Sequence, residues 1–231
     1  MIKNYNDFIA ALLEAGFSGA VGGRNDGVFG LFRYGWGAED ESSIHWHTGD
    51  PDTDPWEWRM RVLDERNDIA YSKVFFRKAG YITKEWYPYF LAARRGNRVF
   101  DEDYSDGLMS NSAKRIYDAV AENGSLPLHE IKRISGFSRD DKSKFDGALT
   151  ELQMKLYLTM CGRAQKISQE GKGHSWASTV FCTTEQFWGE DVFGQAANIS
   201  AEKAVEKITE RILQLNSNAQ KKKIKKFIYG R

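Results

Sequence analysis

Apolar residues recur along this chain at helical and strand periods in turn, and the changes of period mark its elements. Phe8, Ile9, Leu12 and Leu13 share one face of a helix predicted from about Asp7 to Ala15, with Gly16 as its left-handed stop. A glycine-rich stretch from Val21 to Trp36 follows, with a turn at Asn25-Asp26-Gly27 and a strand predicted over Val28 to Phe32. It holds neither GxGxxG nor Walker spacing, so its glycines read as turns rather than as a phosphate cradle. Asp54, Pro55 and Glu57 spell a helix start, with an N-cap acceptor, an early proline and a glutamate at the third position. That helix runs to about Arg66, with Trp56, Met60 and Leu63 on one face and Trp58 and Val62 nearly opposite. Burial on both sides explains this pattern simply. The sharper alternative is an exposed Trp58 offering a stacking surface to a base.

Ile69 to Ile82 alternates as β-structure and is basic, with Lys73, Arg77 and Lys78. Thr83 is the predicted cap of another helix carrying Trp86, Phe90 and Ala93, bent by a late Pro88 and ending in Arg94-Arg95-Gly96. Asp101 to Ser110 is acidic and polar and marks an expected boundary. Residues 111–188 then follow a helix–helix–helix–hairpin order. Ala113, Ile116, Tyr117 and Val120 define the first helix, which stops at Asn123-Gly124. Pro127 opens a second with Leu128, Ile131 and Ile134, and Gly136 ends it. Ser138 is the predicted cap of a third, with core positions Phe145, Ala148, Leu149 and Leu152. Strands from about Leu156 to Ile167 and Ser175 to Cys182 flank a turn from Ser168 to His174.

This layout predicts an α+β fold with a winged helix-turn-helix in the C-terminal half. The N-terminal half is mixed α/β and a candidate for a second winged unit. The expected units are an α+β domain over 1–108, the winged helix-turn-helix over 109–188, and an amphipathic helix with a basic tail over 189–231. That helix, with Ala201, Ala204, Val205, Ile208, Ile212 and Leu215 on one side, is expected to pack onto the body. Opposite the core face of the third helix lie Arg139, Asp140, Ser143, Asp146, Gly147 and Thr150. One base and two acids do not suit a helix that reads base edges. Lys142 and Lys144 on its flanks, and Lys172 in the wing, suit phosphate instead.

Composition changes this picture in one respect. The 231 residues are 41% apolar and 13% aromatic, enough for a buried core, which excludes a wholly disordered chain. Lys and Arg number 33 against 32 Asp and Glu, so attraction to a polyanion through total charge is excluded. A local patch is not. Residues 189–231 carry 9 basic against 5 acidic groups, and Lys221, Lys222, Lys223, Lys225, Lys226 and Arg231 face no acid after Glu210. Such a tail suits a phosphate backbone, while the interleaved Ile224, Phe227, Ile228 and Tyr229 favour docking onto the protein. No apolar run approaches the roughly 20 residues of a membrane span, and no secretory leader is expected. Two cysteines make no disulfide framework, so the cytoplasm is the expected location.

Candidate chemistry is sparse. His45 and His47 would share one face of a strand and, with Asp50 and Trp58, outline a candidate pocket. They lack the third and fourth ligands of a closed zinc site, so no metal is expected, and no cofactor motif is present. If the wing hairpin pairs Ile167 with Trp176, Cys161 stands opposite Cys182, both reduced and packed. Arg77, Lys78, Arg94, Arg95 and the tail form the candidate surface for DNA or another nucleic acid. The other reading is a protein-interaction or scaffold module with no nucleic-acid ligand.

Several motifs carry a family likeness. They are His47-Thr48-Gly49-Asp50-Pro51, Asp54-Pro55-Trp56-Glu57-Trp58, Gly80-Tyr81-Ile82 and Trp86-Tyr87-Pro88 in the first half. In the second they are Leu149-Thr150-Glu151-Leu152-Gln153, Cys161-Gly162, Lys166-Ile167-Ser168, and Trp176 with Cys182. Together they resemble the AlkZ-related family, small bacterial proteins distantly related to winged-helix DNA glycosylases of the AlkZ type. The likeness spans most of residues 45–188 and implies winged-helix units and a DNA connection. It carries no catalysis across: the glycosylases' paired glutamines, spaced Gln-x-Gln, occur nowhere in this chain.

Overall fold

Short polar caps and buried apolar faces decide where the helices of this protein begin and where they lie. The computed structural model describes residues 2–19, 27–31, 44–167 and 173–230. Helix α1 (Tyr5–Ala15) starts where the Asn4 side chain accepts the Asp7 N–H, and it stops at Gly16, φ 90°. β1 (Phe17–Gly19) follows, then α2 (Pro55–Glu65). The fully buried Asp54 carboxylate caps α2 by accepting from Trp56 N–H at 2.8 Å and ties the preceding turn through Gly49 N–H at 3.0 Å. Next come β2 (Ile69–Phe75), β3 (Lys78–Thr83), α3 (Tyr87–Arg94) and α4 (Phe100–Ser105). The second half runs α5 (Asn111–Asn123), β4 (Ser125–Pro127), α6 (Leu128–Ile134), α7 (Lys142–Met154), β5 (Leu158–Ile167) and β6 (Gly173–Thr183). Four helices complete the order: α8 (Thr184–Trp188), α9 (Glu190–Ala197), α10 (Ala201–Leu215) and α11 (Lys221–Tyr229).

The strands form one antiparallel sheet in the order β1-β3-β2-β5-β6-β4. Its two halves join where Tyr71 of β2 faces Met160 of β5, so the sheet crosses the boundary expected at residue 108. Three apolar clusters flank it. One is built from α1, α2 and the β2–β3 hairpin around Phe8, Trp58 and Tyr81. A second fills residues 100–181 around Phe145, Leu152 and Tyr157. The third gathers α3, α9, α10 and α11 over the first half of the sheet. Ala204, Ile208 and Ile212 of α10 are buried there, and Val205 and Leu215 pack against them, as the apolar stripe predicts.

Register shifts in β2 and β5 set the local pairing. β2 bulges between Ser72 and Phe75, where buried Gln153 Oε1 accepts the Ser72 hydroxyl and the Lys73 N–H, at 2.9 and 3.0 Å. β5 bulges between Met160 and Gly162, so Thr159, not Cys161, faces Cys182. The expected cysteine pairing thus fails in register by two residues: the hairpin already pairs one residue out of the expected register from Gly162 to Gln165, and the bulge adds the second. The two thiols still meet: Cys182 donates a hydrogen bond to Cys161, which with burial pushes the Cys182 thiol above its ordinary value. Both cysteines are free.

Other expectations are corrected by competing local bonds. Val28 to Leu31 is irregular rather than a strand; Phe32 lies outside the described residues, as does the Asn25-Asp26 turn. Thr83 does not cap α3, because its hydroxyl donates to the Gly16 carbonyl at 2.9 Å. α3 starts at Tyr87, so Pro88 sits in its first turn and bends nothing. The acidic stretch from Asp101 to Ser110 holds most of α4, and Phe100 at the start of that helix is buried. Ser138 is not the cap of α7; it donates to the Asp141 carboxylate, and Asp141 precedes the helix. Arg139 and Asp140 therefore lie ahead of α7, and Thr150 is buried with its hydroxyl on the Asp146 carbonyl. Among the described residues no helix is long and apolar enough to cross a membrane.

The basic tail is docked. Ile224, Phe227 and Ile228 of α11 are buried, and the Phe227 ring stacks on Phe75 with centroids 3.7 Å apart. Phe227→Ala is expected to cost about 3–5 kcal/mol, and deletion of residues 219–231 more, read as urea unfolding midpoints. An unchanged midpoint would remove α11 from the core.

Candidate nucleic-acid interface

The arginines expected to meet phosphate divide into two groups. Arg94, the last residue of α3, turns inward. Its Nε donates to the Ile228 carbonyl at 2.7 Å, Nη2 to Phe227 at 2.9 Å and Nη1 to Met154 at 2.8 Å. Those carbonyls end α11 and α7, so one cation caps two helix C-termini. Burial pulls its pKa down to about 9, still charged at neutral pH. Arg95 is buried, where Arg94 is half-buried as a residue, and places Nη1 on the Leu156 carbonyl at 2.9 Å and Nη2 on Glu185 at 2.7 Å. Its guanidinium lies 4.1 Å above the Tyr157 ring. Both spend their donors on protein carbonyls and, for Arg95, on Glu185.

The candidate pocket of His45, His47, Asp50 and Trp58 does not assemble. Trp58 is fully buried and stacks on Phe8 at 5.2 Å, so it offers no surface to a base. His47 sits in a turn at φ 61°, not in a strand, 5.2 Å from Trp56. Asp50 accepts from Asp52 N–H and the Thr53 hydroxyl, bonds that hold its carboxyl below the usual range. His45 and His47 are exposed in the same turn. Among the described residues no group of three or more His, Cys, Asp or Glu could hold a metal ion.

The surface cations gather differently. Because α11 buries Ile224, Phe227 and Ile228, the helical period turns Lys221, Lys222, Lys225 and Lys226 to solvent, with Lys223 half-buried at the edge. Among the described residues no carboxylate pairs with these five. Arg77 and Lys78 are exposed at the β2–β3 turn, beside the same helix: Phe75 and Phe76 contact Phe227, and Arg77 N–H donates to Met154 Sδ at 3.3 Å. Arg139, Lys142 and Lys144 are exposed around the start of α7, about 20 Å along that helix from Met154. Asp140 and Asp146 are interspersed there. Lys172 lies outside the described residues.

A cleft of about 370 Å³ opens beside Arg95, lined also by Asn97, Arg98, Val99, Glu185 and Phe193 among others, none of which the sequence singled out. Behind it Arg98 bridges Asp103 and Asp106, each at 2.5 Å, and Tyr157 Oη donates to Asp103 at 2.8 Å. Burial pushes the Asp103 carboxyl upward, but the bonds from Arg98 and Tyr157 outweigh it and hold the group below its ordinary value. The signal was present as Arg98 and the acids of 101–106, but as a sequence it read as an acidic, polar boundary.

The family model described as AlkZ related matches residues 2–229 of this chain. No curated protein and no solved structure matches it.

Asp103 makes a pH prediction. With its folded pKa lowered, its contribution is complete above the unfolded value near 3.9 and is lost as pH falls through the folded one. Asp103→Asn should therefore unfold at lower urea than the wild type at pH 7, with the gap closing below about pH 3. A gap that stays constant across that range would mean Asp103 acts through packing rather than charge.

Proposed function

The chain belongs to the AlkZ-related family, and from that premise we propose that it is a nucleic-acid-associated winged-helix protein, a divergent relative of base-excision DNA glycosylases. The order α5, β4, α6, α7, β5, β6 supports the winged-helix reading: three helices, a short strand and a two-stranded hairpin in one sheet. The lysine face of α11 carries the binding reading. Lys221 with Lys225 and Lys222 with Lys226 are like charges four apart, which repel on a helix. Three lysines in the first turn also oppose the helix dipole, and that turn has no acid. An arrangement that costs stability in the free protein is relieved by a polyanion. Phosphates bound there would displace counterions, so affinity would fall steeply with salt. No catalytic step is assigned, because the Gln-x-Gln pair is absent. A protein-contact role is favoured instead by Val99 at the cleft and by Leu108, each more than half exposed.

The test is Lys222→Glu with Lys225→Glu, both on exposed positions. Duplex DNA should bind at least tenfold more weakly at 0.1 M salt, and the slope of log affinity against log salt should flatten by about two. Equal affinity and equal slope in wild type and variant would defeat the reading.

A further inference from the structure

The β2–β3 connection is a two-residue turn closed by the Phe75–Lys78 pair, with Phe76 at φ 50° and Arg77 at φ 60°. Positive φ at both positions is the hairpin geometry that Asn-Gly adopts without strain. A Phe and an Arg there are held in a region that side chains with a Cβ avoid. Phe76 has a packing reason, because its ring contacts Phe227 of the docked α11 at 6.1 Å. Arg77 has none. Its side chain is exposed and, among the described residues, makes no hydrogen bond or ion pair. Its backbone is nevertheless fixed, since its N–H is bonded to Met154 Sδ at the end of α7.

We propose that Arg77 is the geometrically specific contact of the α11 surface, a guanidinium held on a rigid hairpin tip to enter a groove of duplex nucleic acid. This rests on the lysine face being a phosphate site. The two features are adjacent, since Phe75 and Phe76 both touch Phe227, whose helix carries the outward lysines. Lysines supply mobile point charge and tolerate a range of positions. A guanidinium supplies a planar fork of donors that fits base edges or a narrow groove only from a fixed direction. The turn fixes where that side chain leaves the backbone, at the tip of the hairpin beside α11. No acid follows in the turn to neutralise it: the neighbours are Phe76 and Lys78.

The experiment compares wild type, Arg77→Gly, Arg77→Lys and the Lys222→Glu/Lys225→Glu variant, by thermal unfolding and by duplex binding at several salt concentrations. Arg77→Gly should raise the melting temperature by about 2–4 °C by removing the strain, while weakening binding about tenfold. Arg77→Lys keeps the charge, so it should keep the wild-type salt slope and still lose about tenfold in affinity. If Arg77→Lys or Arg77→Gly binds as wild type while the lysine reversals weaken binding, the groove contact is wrong and the lysine face stands. If the wild type shows no salt-dependent binding to duplex, or the reversals change nothing, both proposals fall.

Discussion

The guanidinium of Arg94 fixes where α3, α7 and α11 meet, and most of the surface chemistry follows from that meeting. Burying a cation away from water is costly, and among the described residues no carboxylate pairs with this one. What compensates is three carbonyls from two helix ends, already carrying the negative pole of their helices. The arrangement needs close approach. Gly230 stands at φ 64°, and a Cβ there would come within 2.6 Å of the Met154 carbonyl that Arg94 also uses. Only glycine lets the chain after α11 pass that point. With its end pinned, the helix can present one face inward, and its lysines are left facing out.

The same joint makes the expected units interdependent. Residues after 189 pack against α3 and the first half of the sheet, and α7 reaches β2 through Gln153. Gln153 is a polar group spending its amide on a bulge, with Nε2 on the Leu149 carbonyl and Oε1 on two donors. Because those bonds are buried, an apolar replacement would leave strand donors unpaired, a loss larger than one ordinary hydrogen bond.

Elements announced by caps and stripes were legible: Asp54-Pro55 opening α2, Gly16 closing α1, and the stripe of α10. Each rests on short-range chemistry that a sequence displays. Failures came where two local choices compete and tertiary context decides. The Thr83 and Ser138 hydroxyls are both good caps, but each found a nearer acceptor. The Phe76-Arg77 turn was invisible because neither residue carries a turn signal. Arg94 and Arg95 read as surface charge because nothing in a sequence shows which carbonyls a guanidinium will find. The cysteine register failed for the same kind of reason, since a bulge leaves no mark in composition.

Magnitudes explain how a helix bearing five lysines stays folded onto the body. Burying Ile224, Phe227 and Ile228 contributes roughly 1.5–3 kcal/mol each. Each like-charge pair four apart costs only about 0.2–0.5 kcal/mol, and the lysines at the first turn a comparable amount. Burial wins by several-fold, so repulsion does not lift α11 off, and the Arg94 cap at its far end adds to the margin. The charge is therefore tolerated rather than hidden, and it is concentrated on a face whose backbone cannot yield. Nearly equal totals of acid and base conceal this, because elsewhere many acids are spent on arginines, as at Arg61, Arg66, Arg95 and Arg98, while among the described residues the α11 lysines form no ion pair. A neutral protein can thus hold a local polycation, provided the core beneath it is deep enough.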